Sequence, residues 1–172
     1  MHRFSIAKLR RALQGKAHYG LVLLFFTAFT AALYWDVLRA PSKNVLAGKQ
    51  VGGYFVWLFW WWSHALKTGL SLFHTDLVMY PSGVPLFPHS PLNEVPAVLL
   101  QFFLDPYTVT NLILLSDYVL AGLSCYMLCF YLTRNSASSL AAAFGYAFSH
   151  YMLVQHLFGQ IDSETIWCMP LL

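Results

Sequence analysis

Apolar residues run almost unbroken through Tyr19–Leu38, YGLVLLFFTAFTAALYWDVL, twenty residues whose one charge, Asp36, sits at the far end. At 1.5 Å per residue this run is about 30 Å long, the thickness of a bilayer's hydrocarbon core. Arg3, Lys8, Arg10, Arg11 and Lys16 precede it with no acid among them. That bias predicts a cytoplasmic N-terminus and a carboxylate delivered to the opposite face. The run is longer than the apolar core of a signal peptide and no A-x-A site follows it, so a retained anchor is the expectation.

From Leu38 to about Asp105 the texture changes, with Pro, Gly, His, Asn and Lys among aromatics. Tyr54–Thr68, YFVWLFWWWSHALKT, is bounded by Gly53 and Gly69, which predicts a helix. It is too short to cross, and Trp57, Trp60, Trp61 and Trp62 with Tyr54, His64 and Lys67 suit the headgroup layer. Val95–Leu104 is a second short apolar piece. Between them, in Leu72–Glu94, Pro81, Pro85, Pro88 and Pro91 with Gly83 exclude a continuous helix and predict successive turns. A loop this long with its own apolar content points to function.

Pro106–Leu132 reads as a second span. Arg134, the only Lys or Arg after Lys67, fits a cytoplasmic return. Ser139–Leu153 is rich in Ala and other small residues, with Gly145, as in a helix packed closely on others in lipid. The expected order is a basic cytoplasmic segment at 1–18, a span at 19–38 and an extracytoplasmic loop with juxtamembrane helices at 39–105. A span at 106–133, a cytoplasmic turn at 134–138, a span at 139–154 and an outer loop at 155–165 follow. The start of a cut span occupies 166–172, so the chain is expected to be a fragment of something longer.

Composition agrees with a membrane class: 58% hydrophobic, 17% aromatic and 10% charged, against about 25% charged in ordinary soluble domains, with a mean hydropathy of +0.56. The net charge of +3 is no nucleic-acid signal, because half of the Lys and Arg lie in the N-terminal segment, where anionic lipid headgroups account for them. Cys125, Cys129 and Cys168 lie in apolar segments and read as small buried hydrophobes.

The outer face of this topology gathers Asp36, His74, Asp76, His89, Glu94, His156, Asp162 and Glu164. Acids and histidines at a membrane surface supply a general base, a divalent-metal ligand set or a clamp for a polar headgroup. Asp36 and Asp76 are the candidate catalytic carboxylates. His74, Tyr80, His89, Asn93, Glu94, His156, Gln160 and Asp162 are the candidate substrate contacts. No cofactor motif is present; a divalent ion on Asp76 and His89 is the one cofactor the loop admits, without a recognisable ligand spacing. Asp117 lies inside its span, where ionisable groups are rare and often functional. Asn111, Ser116 and Tyr118 are near enough in sequence to satisfy it structurally instead. No P-loop, dinucleotide fingerprint, nucleophile elbow or H-E-x-x-H is present.

Trp57-x-x-Trp60-Trp61-Trp62-x-His64-Ala65-Leu66-x-x-Gly69 is followed by Asp76-x-x-x-Tyr80-Pro81-x-Gly83-Val84. Next come His89-x-Pro91-Leu92-Asn93, Tyr107-x-x-x-Asn111-Leu112, and Phe148-Ser149 with His156-x-x-Gly159. In this order and spacing, from about Gly52 onward, the chain resembles the N-terminal part of polytopic bacterial proteins of the C-type (GT-C) glycosyltransferase superfamily. These are relatives of the dolichyl-phosphate-mannose protein mannosyltransferases and the aminoarabinose transferases. The resemblance implies an all-α polytopic membrane fold with a large first extracytoplasmic loop over a cavity for a polyprenyl-phosphate-linked sugar. It also implies transfer of that sugar to an extracytoplasmic acceptor at the plasma membrane of a bacterium. An acid near the end of the first span serves there as general base, and Asp36 holds that position. The chain departs from the pattern at Gly48-Lys49-Gln50-Val51, where relatives carry Gly-Asp and a further Asp before the aromatic helix. A non-enzymatic transporter component or assembly subunit is the alternative.

Overall fold

The computed structural model describes residues 6–46, 52–158 and 160–172, with the side chains of 6–17 and 161–164 outside the description. The Gly48–Val51 departure and the Asp162 and Glu164 carboxyls therefore lie outside it. Among the described residues the chain is mostly helical: α1 (Ile6–Leu33), α2 (Trp35–Leu38), α3 (Gly52–Thr68), α4 (Pro91–Leu100), α5 (Pro106–Thr133), α6 (Ser136–Ala147) and α7 (His150–Phe158). A 3₁₀ helix covers Ile161–Leu171. One described helix, α5, is long and apolar enough to cross a membrane.

Helix α5 is set at both ends by local chemistry. The Asp105 carboxylate accepts the Thr108 N–H at 3.0 Å, Pro106 takes the first helical position, and Arg134 closes the helix in the left-handed conformation. The next helix starts at once, because Asn135 Oδ1 accepts the Ser138 N–H. Gly69, at φ +73, ends α3, where the Leu70 N–H reaches back to the Ala65 carbonyl.

The expected single helix over 19–38 is divided. The helical stretch begins earlier, at Ile6, breaks at Tyr34 (φ −110, ψ 30) and restarts as α2. The expected helix over 139–154 breaks in the same way at Phe148 (φ −106, ψ 31). Both breaks lie against one side chain. The rings of Tyr34 and Phe148 each lie 5.5 Å from the ring of Tyr118, which is fully buried.

Ring contacts show that α1 and α5 run antiparallel. His18 bonds the Tyr126 hydroxyl, Phe26 lies against Gly122, and Tyr34 meets Tyr118. The start of the apolar part of α1 and the Arg134 end of α5 thus share one end of the molecule, and Tyr34 marks the level at which α1 stops. The small-residue face expected on the 139–154 segment is real but is made by Ser139, Ala143 and Ala147, one turn apart and buried. Gly145 itself has nothing near it. A close approach occurs instead at Gly122, where an added Cβ would run into the Phe26 ring.

Above the Tyr34 level α5 continues into a second core. Phe55, Leu58, Phe59, Trp61, Trp62 and Ala65 of α3 pack there with Ala97 and Val98 of α4 and with Val109, Ile113 and Leu114 of α5. This corrects the reading of the aromatic run as a headgroup anchor. Trp61 and Trp62 are 4% and 6% exposed, and the Trp62 indole N–H donates to the Leu72 carbonyl at 3.0 Å. Their side of α3 faces α4 and α5, while Tyr54, Trp60, Leu66 and Lys67 are exposed and Trp57 and His64 half-buried.

The proline-rich stretch is not helical, as expected, but it holds a small sheet, which the all-α expectation lacked. Strands β1 (His74–Thr75) and β2 (Val84–Pro85) pair antiparallel, His74 opposite Pro85 and Thr75 opposite Val84. Gly83 (φ +67) is required there: a Cβ would stand 2.5 Å from His74 Nε2 and 2.6 Å from Asp76 Oδ1. The second short apolar piece starts earlier than Val95, since Pro91 opens α4. Asn93 and Glu94 are consequently helical residues and not loop residues.

Candidate functional site

The structure divides the sequence-expected residues into an exposed group and a buried group. In the exposed group, His74 Nε2 and Asp76 Oδ1, two residues apart at the end of β1, pair at 2.9 Å, both accessible. Tyr80 stands at the hairpin tip, 83% exposed. His89 is exposed, with its ring edge-on to Tyr54 and Phe55. Asp76 therefore has His74 as its partner, and among the described residues no group of three or more His, Cys, Asp or Glu is arranged to hold a metal ion.

The buried group does different work from that expected. Glu94 accepts the His89 and Ser90 N–H groups at 2.7 and 2.9 Å, so its carboxylate caps the start of α4 instead of facing a ligand. Asn93 Nδ2 donates to Asp117 Oδ2 at 2.7 Å, with the two residues 3% and 0% exposed. Asn111, the partner expected for Asp117, is spent elsewhere. Its amide donates to the Pro41 and Asn44 carbonyls and accepts the Leu46 N–H, which fastens the segment after α2 to α5. Ser116 is spent on the Ile113 carbonyl.

His156 is buried at 4% exposure, its ring 5.0 Å from Tyr34 and 5.5 Å from Tyr118. Burial pulls its imidazole down to about 4, so it is neutral at pH 7. The Tyr34 hydroxyl donates to the Tyr118 hydroxyl at 3.0 Å. Gln160 is half-buried, and its N–H bonds the Gln155 carbonyl.

Asp36 stands apart from both groups. It lies in the first turn of α2, exposed. Asp76, Glu94, Asp105 and Asp117 each hold a hydrogen bond or ion pair. Among the described residues Asp36 is the one carboxylate that holds neither. Its carboxylate is solvent-accessible and stands just past the end of α1.

Sequence reasoning overlooked Tyr34 and Tyr118 as organisers. Tyr34 carries one signal, a hydroxyl two residues before Asp36; Tyr118 is legible in the sequence solely as a neighbour of Asp117. No family model matches this sequence, and neither a curated protein nor a solved structure does. The likeness to the GT-C superfamily accordingly rests on the residues quoted for it.

Proposed function

We propose that this chain is part of a multi-pass, membrane-embedded glycosyltransferase of GT-C type in a bacterial plasma membrane. In this reading it transfers a sugar from a polyprenyl-phosphate carrier to an extracytoplasmic acceptor, with Asp36 as general base. The observation that carries it is the free Asp36 carboxylate, when every other described carboxylate is engaged. The base removes the acceptor's proton as the carrier phosphate leaves, and a carboxylate already holding backbone amides, as Glu94 does, is a poorer acceptor for it.

Membrane residence is supported by the apolar outward face of α1, where Leu21 and Leu24 are 66% and 63% exposed. Arg39 over Trp35 and Arg134 over Tyr131, each 5.4 Å from the ring centroid, fit cation–aromatic belts at opposite headgroup layers. The antiparallel packing of α1 on α5 and the positive-inside bias support an orientation with the N-terminus and Arg134 both cytoplasmic.

The test is Asp36→Asn in the full-length protein, assayed for turnover of a polyprenyl-phosphate-linked sugar. Turnover should fall about 10²–10⁴-fold with abundance and insertion intact. Unchanged turnover removes Asp36 and moves the role to Asp76, whose carboxylate is oriented by His74. A non-enzymatic transporter component or assembly subunit is favoured by one observation, the complete burial of Asp117 in the longest apolar helix. That reading expects binding of the lipid-linked sugar with no transfer in wild type.

A further inference from the structure

Two helix breaks meet at one side chain. Tyr34 and Phe148 interrupt α1–α2 and α6–α7 with nearly the same backbone angles. The Tyr118 ring lies 5.5 Å from each, stacked on Phe148 at 15° and tilted against Tyr34 at 46°. The His156 ring closes the group against both tyrosines. Residues near the sparsely populated bridge region of backbone space recur where a chain positions a functional group. Here the group is close at hand, because Asp36 follows Tyr34 by two residues. With Tyr34 at the break, the polypeptide restarts as α2 and presents Asp36 to solvent.

We propose that Tyr118 is a positioning residue. By holding the Tyr34 hydroxyl at 3.0 Å and both break residues against its ring, it sets the turn that presents Asp36 at the outer end of α1. This rests on the reading of Asp36 as the base, but the positional claim is measurable without it. Tyr118 touches no reacting atom in this scheme. Its effect passes through Tyr34 and the three backbone bonds around the break: Tyr34 N–H to the Thr30 carbonyl, and Val37 and Leu38 N–H to the Tyr34 carbonyl.

The experiment is the labelling rate of Asp36→Cys by a membrane-impermeant maleimide, in the full-length protein, in Tyr118, Tyr118→Phe and Tyr34→Phe backgrounds. Ser82→Cys in the exposed hairpin loop serves as the control. Both phenylalanine variants should shift the rate at position 36 about fivefold, the population change that one net hydrogen bond supports, and leave the rate at position 82 alone. The double Phe variant should fall well short of the sum of the two single shifts, since the Tyr34–Tyr118 bond is already lost in each. In protein retaining Asp36, Tyr118→Phe should lower kcat about tenfold or more at constant KM, because small displacements of a reacting group are costly. Equal labelling at position 36 in all backgrounds overturns the proposal. A labelling shift in a protein whose turnover survives Asp36→Asn upholds the positioning and discards the base.

Discussion

Asn93→Ala is the perturbation that tests the buried polar pairing most directly. The amide removed donates to Asp117 at 2.7 Å, and Asp117 is fully buried, so water cannot replace the lost donor. A hydrogen bond of this kind contributes about 1.5–3 kcal/mol when its acceptor is charged and about 0.5–1.5 kcal/mol when it is not. Leaving the acceptor buried and short of a partner adds a desolvation cost, so the expected loss is about 2–3 kcal/mol. For a chain of this size that corresponds to a fall of about 4–12 °C in Tm, measured for the purified protein in detergent. Because the bond fastens the first turn of α4 to α5, cleavage in the hairpin after α3 should accelerate in parallel. The companion variant, Asn93→Leu with Asp117→Leu, removes donor and acceptor together and should recover most of the loss, as buried polar pairs often do when both partners become apolar. A single variant as stable as wild type, or a double variant no better than the single, refutes the reasoning.

Gly122→Val should lower Tm, because the added side chain enters the fully buried Phe26 ring; the cost is about 1–3 kcal/mol, partly relieved by Phe26→Leu in the same chain. Burial pushes the Asp105 carboxyl up, but its hydrogen bonds to Thr108 and neighbouring backbone outweigh this and leave the pKa below the usual 3.8. The stability it contributes is complete above that unfolded value and is lost as pH falls through the lower folded value. Asp105→Ala should therefore cost about 1 kcal/mol at pH 7 and the difference should vanish in acid, read from Tm against pH. Cysteines placed at Ser82 and Asn135 should label from opposite sides of an intact membrane, Ser82 from outside; labelling of both from one side overturns the orientation.

What the residues announced by themselves was whatever depends on neighbours a few positions away. Asp105-Pro106 starts a helix because a side-chain oxygen meets an amide three residues on, and Gly69 and Gly83 sit where the backbone turns left-handed; the helix expected from Ser139 starts instead at Ser136, capped by Asn135. The apolar runs at 19–38 and 106–133 are helical, apart from the break at Tyr34, for the equally local reason that no proline past Pro106 interrupts the backbone ladder. Tertiary structure decided where those helices stop and what the polar residues do. Tyr34 breaks the first run, where it meets a hydroxyl 84 residues away, and Asn93 is buried by a carboxylate 24 residues further on. Glu94 and His156 read as candidate ligands in sequence because type alone does not distinguish a buried, partnered group from an exposed one. Burial depends on which faces of α1, α4, α5 and α7 meet, and those contacts form only when the helices pack. Asp36 kept its standing for the same reason in reverse: no packed helix covers it.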